Sequence, residues 1–479
     1  MSESKKRYAA TRDTDSYYSY AIGTKSHIDN VLRRWSPDAE GAEPPENKET
    51  APEEDFSHHS ALSETLNSSV EFALSQYHII LLLDVLEAVI SKGMVQNTIF
   101  KVLEEKANLI EETDHYKLYE LEENLSETIS INDERAKLIK KGTKKIAPSI
   151  FIGMIATFDA LIVDIIGKLI KLNPERYSSQ DKTISLDKII GASSVDDIVQ
   201  EFIAEELYRF SRESHESQTS YIEKNFSISI KEKWKRWPDF IEIFERRNLV
   251  AHGELRFNQR YAQICDRNGH KGSFDLVGQE VKIEAGYLIQ SLYVLCEYAI
   301  LLSFALWRKL VTEKEVEAFE TLNEAAYKII TNNHHTLAQR ILEFALSLKG
   351  TKVNEDTRKR MVVNLASASK SSQSPEFCNK ILDDEDWSAC SYEYKLSVAA
   401  LKEDLDAVTP LISTAKQSGF NISNFRQWPV FRFIRDNERF NDEIEKHYDC
   451  RVASSTKAVT EEKEPLSIPQ AEAGDDTRH

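Results

Sequence analysis

Residues 240–257 read FIEIFERRNLVAHGELRF, the pattern of the last turns of an amphipathic helix that ends at Gly253. On a helical wheel at about 100° per residue, Arg247, Asn248 and His252 fall within or beside the arc of the apolar side chains. Burying these groups without partners would cost several kcal/mol, so a carboxylate, a second subunit or a ligand must meet them. Helix-end chemistry is an alternative explanation, because cations in the last turn are favoured by about 0.3–1 kcal/mol.

The segments around this stretch predict an all-α protein with a central bundle. Glycine and proline number only 15 and 12, and Leu, Ile, Glu, Lys and Ala recur with helical spacing. Residues 148–312 have the pattern of a four-helix bundle, whose predicted helices are 149–172, 194–216, one starting near Pro238, and 284–310. Before the last helix, an alternating stretch around Asn268-Gly269 predicts a small β-hairpin or a long ordered loop as an insertion.

The rest of the chain divides into four further regions by composition. Residues 1–58 are rich in Pro, Glu and Ser, which predicts a disordered tail. Residues 59–147 have the pattern of a helical N-terminal region. Short apolar stripes in 313–450 predict helical hairpins stacked like a solenoid, a repeat-like module. Residues 451–479 are polar and are predicted to be a disordered tail.

Composition restricts the class of protein. The formal net charge of −18 argues against a non-specific grip on nucleic acid, although it leaves a local basic site open. Five cysteines form an odd number without metal-ligand spacing, which favours a reducing, cytoplasmic location and no metal. The N-terminus lacks the apolar region of a secretory signal.

Two apolar segments are long enough to cross a membrane. One contains Asp159 and Asp164, and the other contains Gln290 and Glu297. Carboxylates near the middle of a span are costly, so we expect buried helices of a soluble protein and no membrane partner.

The hexapeptide RNLVAH, Arg247 to His252, resembles the motif of the HEPN family. In that motif an Arg is followed by four to six residues and then His, here with Asn directly after the Arg, at the end of the third helix of a four-helix bundle. The resemblance covers residues 148–312. It implies a homodimer in which two motifs meet in one cleft, and many members are metal-independent endoribonucleases that need no cofactor. One branch has Tyr two residues after the His, where this chain has Glu254.

The residue types fit RNA cleavage, because RNA carries its own nucleophile in the 2′-hydroxyl. His252 is a natural proton carrier near neutral pH, and Arg247 can bind phosphate through two donors. Asn248 lies one turn before His252 and could orient either the phosphate or the imidazole. The motif spacing also occurs at Arg209–His215, which lacks the Asn and the glycine stop, and we interpret that match as fortuitous.

Supporting residues come from two other stretches. In KEKWKRW, residues 231–237, basic and aromatic residues alternate, as in single-strand binding by charge and stacking. The RNA-binding candidates are Arg246, Lys233, Trp234, Lys235 and Arg236. A tryptophan packed in the core beneath a solvated cationic face is the favoured alternative.

Two carboxylates interrupt the first bundle helix. Asp159 or Asp164 could pair with Arg247 and orient it, and a salt bridge to another cation is equally consistent with the sequence. The adjacent pair His334-His335 cannot face one site from a helix and is expected at the surface.

The residues and the resemblance together predict an endoribonuclease, and the resemblance implies a regulated toxin or antiviral-defence effector. The stacked C-terminal helices are expected to bind a protein partner or trigger. Two other classes fit the same residues. One is a non-catalytic helical scaffold or dimerisation protein, and the other is an RNA- or nucleotide-binding sensor that does not cut.

Overall fold

In the computed structural model the chain is mostly helical, which confirms the all-α class. The structure describes residues 8–14, 17–23, 58–91, 101–112, 117–120, 141–172, 192–372 and 375–452, together with a few positions between 129 and 139. Two compact units are present, Met1–Phe56 and Ser57–His479. Nearly all of the predicted C-terminal tail, residues 451–479, lies outside the described residues.

The smaller unit contains an antiparallel hairpin of β1 (Tyr8–Thr14) and β2 (Tyr17–Gly23). This hairpin lies within the region predicted to be disordered. The run YYSYAIG is rich in aromatic and branched residues, which favour strands, and the average composition of residues 1–58 conceals it.

The larger unit begins with a long helix and a second short hairpin before the remaining helices. In chain order these elements are α1 (His58–Ser91), β3 (Asn108–Glu112), β4 (Lys117–Glu120), α2 (Ile146–Leu172), α3 (Val195–Arg212), α4 (His215–Phe226), α5 (Trp237–Ala251), α6 (Gln259–Arg267) and α7 (Ala285–Leu310). The β3–β4 hairpin departs from the prediction that residues 59–147 are helical.

Helices α2, α5 and α7 pack on one another, with α3 against α2 and α4 against α5. Helix α1 packs on α7 and α2, so the N-terminal helix shares the core of the bundle instead of forming a separate region. Phe158 lies at the centre, close to Phe240, Phe244 and Tyr298. This aromatic cluster fixes the α5 helix that carries the RNLVAH hexapeptide.

Two of the predicted segments differ in the structure. The predicted helix 194–216 ends earlier, at Arg212, and Ser214 caps the next helix, α4, by accepting a hydrogen bond from the Ser217 amide. The predicted hairpin insertion is instead helix α6 and a 3₁₀ turn, Ser273–Leu276, with one β-bridge between Arg256 and Glu280. In α6, three buried residues repeat with helical spacing, namely Tyr261, Ala262 and Cys265, so the period there is that of a helix.

After α7 the chain forms α8 (Glu315–Thr331), α9 (His335–Ser347), α10 (Glu355–Ser372), α11 (Pro375–Asp383), α12 (Tyr392–Leu401), α13 (Leu405–Gln417), α14 (Ile422–Gln427) and α15 (Glu438–Tyr448). Helices adjacent in the chain pack together, as in α9 with α10 and α12 with α13. The first core continues to Ala368, and a second core runs from Val363 to Val452. The division therefore falls within α10 and not at the predicted boundary of 312/313.

Two helices have the length and apolar composition of a membrane span, Lys137–Lys171 and Ala285–Leu310. The apolar window is 44% buried in the first and 78% buried in the second. Core helices of soluble proteins meet the same criteria, and α7 is enclosed by other helices over most of its surface.

Candidate active site

Arg247 lies half-buried on α5 and faces Asp159 of α2. Its Nη2 is 3.5 Å from Asp159 Oδ2, and its Nη1 donates a hydrogen bond of 3.3 Å to Asn248 Oδ1. Both members of the ion pair keep 32% of their side-chain surface exposed. A guanidinium has five N–H donors, so two long contacts leave it able to bind an anion from solvent.

Asn248 is also half-buried and lies beside Arg247. Its amide nitrogen is 3.5 Å from Glu245 Oε1, one turn earlier on the same helix. Burial raises the pKa of Glu245, and the charges of Arg260 and Arg267 oppose that shift. These two arginines lie on α6 and are exposed. They add positive charge near the RNLVAH hexapeptide, and no motif in the sequence indicated them.

His252 is exposed at the end of α5, where it is the C-cap residue. Its backbone N–H donates to the carbonyl of Asn248 at 3.1 Å. Gly253 follows with φ of 71°, a left-handed conformation that ends the helix at no steric cost. On the helical wheel His252 lies about 140° from Arg247, with Asn248 between them.

His215 lies next to Arg247, and the sequence did not predict it as a residue of this site. Its Nε2 is 2.8 Å from Asp159 Oδ1, so Asp159 contacts an imidazole and a guanidinium through its two oxygens. The ring stacks on Phe244 with centroids 3.3 Å apart and an angle of 12°. Burial lowers the pKa of His215, Asp159 raises it, and Arg247 lowers it. Arg209, its partner in the fortuitous motif match, pairs with Glu206 instead.

Arg246 is not available for RNA, contrary to the prediction. Its Nε donates to Oε1 of the buried Glu242 at 2.7 Å, and its guanidinium lies 3.9 Å from the ring centre of Tyr287. Glu242 also accepts from the hydroxyls of Tyr261 and Tyr287, at 2.5 and 2.8 Å. A buried carboxylate needs such donors, so this network stabilises the fold.

Trp234 is buried as well, so the stacking role predicted for it does not fit the structure. Its Nε1 donates to Glu297 Oε1 at 2.7 Å, and its ring lies 5.6 Å from Phe240 and 5.5 Å from Tyr298. The ionised form of the buried Glu297 is further supported by Arg340 at 3.7 Å. Trp234 therefore matches the alternative given above, in which the tryptophan packs in the core.

The neighbouring cations differ in what they contact. Lys233 and Lys235 are exposed. Arg236 forms an ion pair with Asp239 on its own helix, which reduces its capacity to bind another anion. Asp164 pairs with Lys168 at 3.1 Å and not with Arg247.

His334 is buried and His335 is half-buried, contrary to the expectation that they lie at the surface. His334 Nδ1 is 3.0 Å from the Tyr293 hydroxyl, and its ring meets Tyr77 edge-on at 4.3 Å. His335 Nε2 accepts from Arg432 at 2.8 Å. The two rings face different neighbours, as adjacent residues at a helix start must.

No group of three or more His, Cys, Asp or Glu side chains suited to a metal ion occurs in the described part of the chain. Comparison with protein-family models, with curated proteins and with solved structures finds no match. The geometry around Arg247 and the resemblance of RNLVAH to the HEPN motif are the features that bear on function.

Proposed function

We propose that this protein is a metal-independent endoribonuclease that cleaves RNA by attack of the 2′-hydroxyl on the adjacent phosphate. The Arg247 guanidinium carries the proposal. It is held by Asp159 and Asn248 and still keeps 32% of its side-chain surface exposed. A cation fixed in direction but open to solvent is suited to bidentate binding of a phosphate diester.

The other groups have complementary roles in this proposal. His252 is exposed one residue before the chain turns at Gly253, so it can exchange protons with solvent and with a bound strand. Asn248 can donate from its amide to a phosphate oxygen. The exposed side chains of Arg260, Lys233 and Lys235 extend the positive charge along which RNA could lie, whereas Arg267 pairs with Glu216 at 3.0 Å.

The biological setting follows from the resemblance to the HEPN family. We propose a homodimer in which two copies of RNLVAH line one cleft, acting in the cytoplasm as a regulated toxin or antiviral-defence effector. The five cysteines are free, which suits a reducing compartment. The helices after residue 312 would act as a repeat-like surface for a protein partner or trigger.

The test is cleavage of a labelled single-stranded RNA by the purified protein in the presence of EDTA. His252→Ala should reduce the rate by about 10²–10⁴-fold, the usual contribution of a positioned proton carrier. His447→Ala is a matched control, because His447 lies on α15, far along the chain from the RNLVAH hexapeptide, and pairs with Glu443 on its own helix. Its rate should equal that of the wild type.

Each other outcome points to a different class of protein. Binding of RNA without cutting would favour the sensor. If the protein neither binds nor cuts RNA, and light scattering shows that Arg247→Ala no longer forms a dimer, the scaffold would be favoured. Equal loss of activity in His252→Ala and His447→Ala would contradict the assignment of His252.

A further inference from the structure

The pair of His215 and Asp159 lies beside Arg247 and has no part in the RNLVAH hexapeptide. Asp159 Oδ1 is 2.8 Å from His215 Nε2, and Asp159 Oδ2 is 3.5 Å from Arg247 Nη2. One carboxylate therefore fixes both an imidazole and the proposed phosphate-binding cation. An arrangement in which an acid orients a histidine is a recurrent device for proton transfer.

The geometry defines which nitrogen of His215 can accept a proton. An ionised carboxylate only accepts hydrogen bonds, so Nε2 must carry the hydrogen that points to Asp159. The neutral ring then has its lone pair on Nδ1. Within the described part of the chain Nδ1 has no hydrogen-bond partner, and 15% of the side chain is exposed. Nδ1 is thus the basic atom of the pair.

The ring is also held rigidly. It stacks on Phe244 at a centroid distance of 3.3 Å, and it stands at the first position of α4 behind the Ser214 cap. Phe244 and Arg247 are three residues apart on α5 and share one side of that helix. On the helical wheel His252 lies beyond Asn248, on the side away from Arg247. Two imidazoles therefore flank the α5 residues that would hold the phosphate.

We infer that His215 is the general base of the proposed ribonuclease, with Asp159 as its positioning residue and His252 as the general acid. In this step His215 Nδ1 takes the proton of the 2′-hydroxyl while the 2′-oxygen forms a bond to phosphorus. The bond from phosphorus to the 5′-oxygen breaks, and His252 gives that oxygen a proton. The products are a 2′,3′-cyclic phosphate and a 5′-hydroxyl, and no other reactant is consumed.

Burial of His215 supports a neutral ring at pH 7. Burial lowers its pKa, and Arg247 of α5 lowers it further, while Asp159 of α2 raises it. A base must be unprotonated to act, and a lowered pKa secures that state under ordinary conditions. The low-pH limb of the rate profile should therefore lie below the ordinary histidine value of about 6.5.

The inference rests on the proposed function, and the experiment separates the two. Single-turnover cleavage of a defined RNA in EDTA is measured from pH 4.5 to 9 for the wild type, His215→Gln, Asp159→Asn and His252→Ala. The same variants are given an RNA whose scissile 5′-oxygen is replaced by sulfur. A thiolate leaves without help from an acid, so this substrate bypasses the general acid and not the base.

We expect His215→Gln to lower the rate by about 10²–10⁴-fold on both substrates and to remove the low-pH limb. His252→Ala should be slow on the normal RNA and recover on the sulfur substrate. Asp159→Asn should lower the rate and shift the low-pH limb. His270→Gln is the matched control, since His270 is also half-buried and contacts Ser273 and, at 4.0 Å, Asp239. It should behave as the wild type.

If the wild type does not cleave the RNA, the proposed function itself is wrong. Cleavage lost in His252→Ala but unchanged in rate and pH profile in His215→Gln would overturn this inference alone. Recovery of His215→Gln on the sulfur substrate would also overturn it, because His215 would then be the acid. If circular dichroism shows that His215→Gln does not fold, Asp159→Asn becomes the test of the inference. A wild-type rate and pH profile for Asp159→Asn would then overturn it.

Discussion

Arg246 and Arg247 are adjacent in the sequence but differ in their surroundings. Arg246 belongs to a buried network around Glu242, whereas Arg247 reaches solvent between Asp159 and Asn248. A helix turns about 100° between neighbours, so two adjacent cations must face different environments. Whether an arginine of α5 is structural or a candidate functional residue therefore depends on which element of the fold packs against its side of the helix.

Glu242→Ala should lower the free energy of unfolding by about 3–5 kcal/mol, because it leaves Arg246 buried without its partner. Tyr261 and Tyr287 would lose their acceptor as well. Urea unfolding followed by circular dichroism measures the change. Glu232→Ala, at an exposed position, is the control and should stay within about 0.5 kcal/mol of the wild type. Similar stability of the two variants would contradict the network.

The sequence could predict Arg247, Asn248 and His252 as candidates, since the pattern places polar groups on the apolar side of one helix. It could not predict His215, because nothing in the local sequence indicates that α4 would bring it to Asp159. The same limit applies to Trp234, whose position between Phe240 and Tyr298 is set by packing. Local patterns identify groups that need partners, and tertiary structure determines which partners they find.

Among the elements, α4 matters most for the candidate site, because its first residue is His215. The sequence pattern predicted one helix at 194–216 and did not predict α4, most of which lies beyond that segment. Ser214 separates them by capping α4, and Glu213 has the extended conformation that ends α3. The all-α class was predicted, while the cap at Ser214, helix α6 and the two β-hairpins were missed.

Ser214→Ala should cost about 1 kcal/mol in stability, the usual effect of removing a helix N-cap. The reason is that the Ser217 amide would lose the hydroxyl that accepts its hydrogen bond. Ser211→Ala, at the exposed end of α3, is the matched control and should change stability by less than about 0.5 kcal/mol. Thermal unfolding compares them. Equal midpoints for the two variants would contradict the cap.

For the whole molecule, the larger unit has two cores that meet at α10. Arg432 lies in the part that belongs to the second core and donates to Asn333 and His335 near the start of α9. The sequence indicated helices on both sides of residue 312. It did not indicate where one core ends, because apolar periodicity shows which face is buried and not which helix buries it.

Acid should weaken this region, because the pKa values of His334 and His335 are lowered to about 4 by burial. The unfolded histidine binds a proton near pH 6.5, so the folded state loses stability as the pH falls from there towards 4. About 2 kcal/mol of stability for each residue is lost between pH 6.5 and pH 5. Urea unfolding at pH 7.5 and pH 5 measures it.

His334→Gln should show a smaller difference between the two pH values than the wild type. His447→Gln, in the second core, should keep the wild-type difference. If the stability of the wild type were the same at both pH values, the burial of the two imidazoles would not be coupled to folding.

The central claim is that RNA supplies its own nucleophile and that Arg247 holds the phosphate it attacks. The most direct measurement compares a labelled single-stranded RNA with the same strand in 2′-deoxy form, each incubated with the wild-type protein in EDTA. We predict that the RNA is cut to a 2′,3′-cyclic phosphate and that the deoxy strand stays intact. An uncut RNA, or equal cutting of both strands, would contradict the account.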